Sequence, residues 1–259
     1  MKRIYWFSPV PPAHTDIANY SARLAPHLLK NAEVTFCYPD DSSQDGKWPG
    51  SQISRVTARD VNKADICVYN IGNSAGFHSQ IFEWASFFPG LVVLHERAIH
   101  ELFIDHLGVR NGTADDASIG RYLKAMAYWY GENGYRTARE ICSGKKDPAD
   151  CANVYPLYEI AIGQALGVVT HNPMLSDEIR NKFPLLPVLD LDVNHYAADQ
   201  YVDHFIKWYT RERKTLWPLW LKRMQIKTLA REQARMLSGD AMIRPPQCLF
   251  DDLKEHRQP

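Results

Sequence analysis

The feature that most constrains this chain is the stretch from Ala64 to His100, ADICVYNIGNSAGFHSQIFEWASFFPGLVVLHERAIH. Two short apolar runs in it, ICVYNIG and GLVVLH, flank a segment with helical patterning. Apolar and β-branched runs without alternation belong to strands buried on both faces, the condition of a parallel sheet covered by helices. Two such strands joined by a helix make a βαβ unit, so the chain is read as α/β. In open parallel sheets ligands bind beyond the carboxyl ends of the strands. Those ends carry Asn73, Ser74, His78, His95 and Glu96, and any chemistry is expected there.

The same alternation extends in both directions. Lys2 to Val10 reads as a first strand running into a Pro-Pro loop, with Thr15-Asp16 capping a helix whose apolar face is Ile17, Tyr20, Leu24 and Leu28. EVTFCY is a second strand, DDSSQDGKWPGS a loop of turn formers, and Ser54 to Lys63 an ambiguous strand end with a small helix. Helical patterns cover Arg97 to Leu107, Ala117 to Cys142 and Tyr155 to Ala165. The aromatics Tyr122, Tyr128, Trp129, Tyr130 and Tyr135 read as core packing, because no basic residues interleave with them as in a base-stacking platform. LGVVTHN is a further buried strand, Pro173 opens a helix, and LPVLDLDV is the last strand. The expected architecture is a doubly wound, mainly parallel Rossmann-like sheet over residues 1–194. Its strands should end at Val10, Tyr38, Gly72, His95, Asn172 and Val193. From His195 a helical C-terminal extension is expected to residue 238, one helix carrying Tyr201, Phe205 and Trp208 and a second following Trp217-Pro218. A flexible tail is expected over 239–259.

Bulk properties exclude several classes. Lysine plus arginine and aspartate plus glutamate balance at 30 each, so no global charge recruits nucleic acid, and no nucleic-acid partner is expected. Five cysteines, at 37, 67, 142, 151 and 248, are scattered and include no CxxC pair, which sets the expectation of a cytoplasmic protein without a thiolate metal site. MKRIYWFSPVPP lacks the apolar run of a signal peptide, and no stretch has the roughly 18 consecutive apolar residues of a membrane span. His95, His100 and His106 are spaced by five and six, which does not align ligands on one helical face, so no metal is expected. From Arg211 to Arg235 the cations Arg211, Arg213, Lys214, Lys222, Arg223, Lys227, Arg231 and Arg235 face only Glu212 and Glu232. That tryptophan-bearing segment can lie on an anionic membrane surface, or it can pack its tryptophans on the domain and leave the charges solvated.

The candidate site follows from the strand ends. His171 repeats the His95 arrangement, a histidine at the carboxyl end of an apolar strand just before a helix. Such a histidine can meet a ligand or can satisfy a backbone group. The loop before Thr15 feeds a helix N-terminus and so offers free N–H groups to an anion, although it has no glycine and no GxGxxG pattern, and a plain capped helix is the competing reading. His14, Asn73, His78, His95 and His171 are expected to converge on one cleft.

Four segments, SPVPPAHTDIANYSARLAPHL, YNIGNSAGFHSQIF, GLVVLHERAIHELF and VVTHNPMLSDEIRNKFP, together resemble the N-terminal, acceptor-side domain of family 4 glycosyltransferases of the GT-B fold, over roughly residues 2–193. The most distinctive piece is GNS followed by His78 and then VVLH with an acidic residue after it. The resemblance implies that the loop Pro11 to Ile17 approaches donor phosphates and acceptor, and that His95 lines the catalytic cleft. On that reading His95 is nearest the transferred group, with Glu96 as its acidic neighbour. Substrate binding is assigned to His14, Thr15 and Asp16 from the matching loop, and to Asn73, Ser74, His78, His171 and Asn172 from the strand ends. Asp16 stands where the family loop commonly has glycine, which hinders close approach to a pyrophosphate. No counterpart of the family's second Rossmann domain, which holds the nucleotide sugar, follows Val193.

Two functional readings result. In the first, the chain is the acceptor-side half of a sugar transferase with a nucleotide sugar as co-substrate and no resident cofactor, its donor half supplied by a partner chain. In the second, it is a noncatalytic protein that keeps the cleft for a carbohydrate or nucleotide, or the surface for assembly. Under either, the C-terminal helices are expected to contact a donor-domain subunit, a second copy, or a membrane surface peripherally.

Overall fold

The structure is a computed structural model that describes residues 2–40 and 48–237, with side chains described through residue 225. The tail expected over 239–259, with Cys248, lies outside the described residues, as do 41–47 of the polar loop and the side chains of Lys227, Arg231, Glu232 and Arg235. In chain order the elements are β1 (Arg3–Phe7), α1 (Asp16–Asn31), β2 (Glu33–Tyr38), β3 (Gly50–Gln52), α2 (Ala58–Val61), β4 (Ile66–Ile71), α3 (Ala75–Phe87), β5 (Leu91–Leu94), α4 (His100–His106), α5 (Asp116–Cys142), α6 (Tyr158–Ile162), β6 (Gly167–Thr170), α7 (Pro173–Lys182), β7 (Val188–Asp190) and α8 (Ala198–Leu237). The chain divides into two compact units: residues 2–96 and 161–220 form the first, and residues 97–160 with 221–237 the second.

All seven strands lie in one sheet of order β3-β2-β1-β4-β5-β6-β7, and every pairing is parallel. This is the expected doubly wound arrangement. The chain winds outward from β1 to β3, returns to β4 beside β1, and winds the other way, so the order reverses between β1 and β4, and in sheets of this kind ligands bind beyond the carboxyl ends near such a reversal. The unalternated runs are the central strands: every residue of β4, β5 and β6 is buried. The two edge strands are short and only partly buried, which leaves little open edge for pairing with another chain.

One face of the sheet holds the main core. Ile4, Trp6, Phe36, Val68, Leu91, Val93 and Val169 pack under Tyr20, Leu24 and Leu28 of α1 and under Tyr201, Val202, Phe205, Trp208 and Leu216 of α8. Each fully buried large side chain contributes about 1.5–3 kcal/mol. Trp208 lies over the start of β6 only because that position is Gly167, where a Cβ would come 3.0 Å from the indole Cη2. The face of α1 is set by its sequence: Thr15 Oγ1 accepts from Ala18 N at 2.9 Å, and Ile17, Tyr20, Leu24 and Leu28 then fall on one side.

Four local expectations are corrected. Gly50 and Ser51, read as loop, open the edge strand β3, because Phe36 pairs with Gly50 where an added Cβ would strike the Phe36 carbonyl. β1 stops at Phe7 instead of Val10: the bond from Ser8 N to Cys37 O is its last rung with β2, and the chain then turns at Pro11 and Pro12, which have no N–H to continue a ladder. The helix expected over Tyr155 to Ala165 shrinks to α6, preceded by Leu157 at φ 58, a left-handed backbone that no helix continues. Among the described residues beyond His195 there is one helix and not two. Pro218 removes only the bond to Lys214 O, while Leu216 is buried and Trp220 Nε1 donates to Gln164 O at 3.1 Å, so the chain is held on both sides of the proline.

The second unit is helical. His100 is fully buried there, its Nδ1 bonded to Tyr155 O and its Nε2 to Tyr122 Oη, each at 2.7 Å. Tyr130 Oη donates to Glu159 at 2.8 Å and accepts from Leu157 N at 2.7 Å. Tyr122 is core as expected, whereas Tyr128 is exposed. α5 is broken at Gly131, whose φ of 65° and ψ of −153° are open to glycine and strained for other residues.

Candidate functional site

A cleft of about 460 Å³ lies in the first unit, lined by Asp16, Ile17, Asn19, Tyr20, Arg23, His95, Glu96, His171 and Val193. Its walls come from the first two turns of α1 and from the residues that follow β5, β6 and β7. Strand pairing brings the two histidines together: Leu94 pairs with Thr170 in the β5–β6 ladder, so the next residues, His95 and His171, stand side by side with ring centroids 4.9 Å apart. Tyr20 packs its edge on both, at 4.7 Å from His95 and 5.5 Å from His171.

Beneath them Asn70 of β4, fully buried, ties the polar groups together. Its Nδ2 donates to Phe7 O at 3.1 Å, which orients the amide so that Oδ1 is the acceptor facing His95 Nε2, also at 3.1 Å. His95 therefore carries its proton on Nε2 and keeps Nδ1 as an acceptor. The Asn70 backbone carbonyl accepts from His78 Nδ1 at 3.1 Å. His171 donates from Nδ1 to Leu191 O at 2.9 Å, and its Nε2, enclosed from solvent, has no hydrogen-bond partner among the described residues. Each imidazole thus spends one nitrogen as a donor to a fixed carbonyl and keeps the other as a lone pair.

Burial keeps these rings neutral. It holds the His95 pKa well below the usual imidazole value, and the neighbouring His171 and His78 push in the same direction. His78 is pushed down to about 4 by burial, against the opposing pull of the Asn70 carbonyl. His171 is lowered by burial too, against its bond to Leu191 O. Tyr20 is raised well above the ordinary phenol value by burial and by the neighbouring Tyr201, whose hydroxyl accepts from Tyr20 at 2.7 Å. At neutral pH the cleft floor is uncharged. Around the rim stand two carboxylates, Asp16 and Glu96, and one guanidinium, Arg23, which donates to Val193 O at 3.2 Å.

Of the residues singled out from sequence, His78, His95 and His171 are joined through Asn70 and direct ring contact. Asn73 joins them through its N–H to Glu96 Oε1 at 3.1 Å. Gly72 makes this approach feasible, since a Cβ there would meet Ile17 Cδ1 at 2.6 Å, His78 Nε2 at 3.1 Å and Glu96 Oε1 at 3.2 Å. Asp16 lines the cleft. Thr15 and Asn172 are helix caps, Asn172 accepting from Met174 N at 2.9 Å. His14 and Ser74 are exposed and do not line it.

Sequence reasoning missed Asn70, Asn19, Tyr20, Arg23 and Tyr201 as site residues. Asn70 had a signal, as the one amide inside an otherwise apolar strand. Asp16, Asn19, Tyr20 and Arg23 follow i, i+3, i+4, i+7 spacing along one face of α1. Tyr201 had none, being 181 residues from Tyr20. Among the described residues no group of three or more His, Cys, Asp and Glu side chains is placed to hold a metal ion.

The fold and cleft define a Rossmann-like α/β protein with a histidine-lined cleft at the carboxyl ends of a parallel sheet. Comparison of the chain with known protein families, with curated proteins and with solved structures finds no match.

Proposed function

We propose that this chain is the acceptor-side half of a nucleotide-sugar-dependent glycosyltransferase of GT-B type, with the donor half supplied by a partner. The observation that carries this reading is the chemistry of the cleft: neutral, orientation-locked imidazoles and two carboxylates against a single guanidinium. Sugar hydroxyls are donors that such acceptors bind, and neutral imidazoles suit an uncharged ligand. A nucleoside diphosphate has the opposite demand. Its charge needs several cations or backbone amides, and Asp16 and Glu96 repel it. The sequence resemblance of the strand-end motifs supports the same assignment.

In this reading His95 orients the acceptor hydroxyl by hydrogen bonding through Nδ1, with Asn70 as the residue that positions the ring. Glu96, held by Asn73 N, and Asp16 grip neighbouring hydroxyls, and His171 packs against His95 and Tyr20 beside them. Tyr20 supplies an aromatic wall. The reaction replaces the bond from the anomeric carbon to the donor phosphate with one to the acceptor oxygen. The cations that stabilise the departing diphosphate come from the partner, at the rim of the crevice. A cytoplasmic location fits a nucleotide-sugar co-substrate. No helix among the described residues is long and apolar enough to cross a membrane.

The test is calorimetric titration of the full chain with simple methyl glycosides and, separately, with UDP and GDP, followed by transfer assays with several nucleotide sugars. Glycoside binding that weakens in His95→Ala, no nucleotide binding in the cleft, and no transfer by the chain alone are expected. Robust transfer by the isolated chain would remove the need for a partner. Diphosphate binding lost on His95→Ala, in place of glycoside binding, would overturn the acceptor assignment.

A further inference from the structure

At the other end of the same sheet lies a groove of about 650 Å³, lined by Lys2, Asp65, Ile66, Leu166, Tyr209, Arg213, Lys214, Leu216 and Trp217. Lys2, Ile66 and Leu166 sit where β1, β4 and β6 begin, and the remaining wall is the middle of α8. Three cations therefore face one groove from two elements. Arg213 and Lys214 are exposed, and neither they nor Lys2 form an ion pair with any described residue.

The one carboxylate present does not neutralise them. Asp65 Oδ2 accepts from Arg3 N at 2.8 Å, while Tyr209 Oη donates to the Asp65 carbonyl at 3.0 Å and pins α8 to the sheet. Lys2 also contacts α8. Its ammonium donates to Thr210 Oγ1 and lies 5.5 Å from the centre of the Tyr209 ring. Burial first and then the nearby Arg213 lower its pKa, with Asp65 pulling the other way. Beside these charges Trp217 is 48% exposed, its indole edge-on to Trp220, which is itself anchored to Gln164 O. A helix that buries Trp208 and Leu216 and partly buries Trp220 yet leaves Trp217 out among lysine and arginine presents a flat apolar face next to an excess of positive over negative side chains.

We propose that this groove is a second ligand site, for a phosphate group carried on an apolar or aromatic body. Arg213, Lys214 and Lys2 take the phosphate oxygens, and Tyr209 and Trp217 take the attached group. Arginine matches phosphate with a planar fork of donors, and lysine adds a point charge. The same chemistry is found in two sources, an anionic lipid headgroup at a membrane surface and a free phosphate ester. The site is independent of the histidine cleft, with which it shares no residue.

The experiment uses the full chain and two probes. Adenosine monophosphate is titrated in solution while tryptophan fluorescence is followed, with Trp217→Phe isolating the contribution of that indole. In parallel, the chain is sedimented with vesicles of phosphatidylcholine alone and of phosphatidylcholine with phosphatidylglycerol. Saturable binding to either anionic probe is expected, with no binding to pure phosphatidylcholine. It should weaken steeply with added salt and fall at least about tenfold in the double variant Arg213→Glu with Lys214→Glu. Binding of the nucleotide but not the vesicles assigns the site to a free ester, and the reverse assigns it to a membrane headgroup. Circular dichroism and methyl glycoside binding serve as controls for the double variant, and both should be unchanged. If neither probe binds, or if the charge reversal leaves binding as it was, the proposal is overturned. A Trp217 indole shielded by a dimer that forms without any anion would overturn it as well.

Discussion

The two ends of the sheet are built from opposite materials. At the carboxyl end, polar side chains are buried and each is tied to a fixed backbone partner: His78 to Asn70 O, His171 to Leu191 O, Asn70 to Phe7 O. Burial drives out charge there, so the floor is neutral. At the amino end Lys2, Arg213 and Lys214 surround a groove with one carboxylate among them. The difference follows from desolvation. An imidazole can shed its proton and stay buried, whereas lysine and arginine hold theirs and must remain near solvent or find an anion. A single parallel sheet can thus offer a neutral, hydrogen-bonding site at one end and a cationic one at the other.

The sharpest way to break this contrast is Asn70→Leu. It leaves Phe7 O and His95 Nε2–H in the interior without their partner, each at about 1–3 kcal/mol, so urea denaturation should show a loss of about 4 kcal/mol. Glycoside binding should disappear, while anion binding at the far end, measured under folding conditions, should survive. An unaltered denaturation midpoint would mean that the Asn70 network does not organise the cleft.

Acid is the next largest lever. His78 and His100 are held at about 4, below the ordinary value of 6.5, so the unfolded chain accepts protons that the folded chain refuses. The stability these neutral rings contribute is complete above pH 6.5, falls as the pH drops below 6.5, and is fully lost only below about 4. Each is worth about 3 kcal/mol over that whole window. His95 and His171 shift in the same direction and steepen the fall. Denaturation midpoints between about pH 7 and 5 should decline, while the glycoside affinity of the folded chain holds because its cleft rings stay neutral. Lysine and arginine do not titrate in that range, so binding to phosphatidylglycerol vesicles, whose phosphodiester keeps its charge, should stay flat until the fold itself is lost, whereas adenosine monophosphate, which gains a proton near about pH 6, should bind more weakly. A cleft affinity that rises on acidification would show that the charged imidazoles are the working form.

Smaller effects refine the picture. Tyr201→Phe removes the acceptor of the Tyr20 hydroxyl and should cost about 1–2 kcal/mol by urea denaturation, with a modest loss of glycoside affinity because Tyr20 packs on both histidines. An unchanged midpoint would show that the hydroxyl pair is incidental. Trp217→Ala should move the midpoint by less than about 0.5 kcal/mol, as its ring is half exposed, and should weaken only the amino-end site. A large stability loss would mean that the indole is structural.

Much of this was legible from local pattern. β2 runs from Glu33 to Tyr38 as read, β4 to β6 lie within their apolar runs, and Pro173 opens α7 after Asn172, because burial on both faces and end capping leave their marks within a few residues. The meeting of His78, His95 and His171 was also foreseeable, since a parallel sheet delivers all its carboxyl ends to one side. The single long α8 was not: Pro218 reads locally as a break, and only the burial of Leu216 and the bond of Trp220 to Gln164 O hold the helix through it.

By itself, then, the sequence determined the parallel α/β class, the order along the chain of every described strand but β3, and the side of the sheet on which its histidines lie. These rest on period and spacing, which are short-range. The tertiary structure alone decided which polar atoms are paired, that Tyr201 meets Tyr20 across 181 residues, and that Lys2 meets Thr210 across 208. Hydrogen-bond partners, burial and the resulting pKa shifts depend on distances between segments remote in the chain. No local periodicity records those distances, and they are what make one end of the sheet neutral and the other cationic.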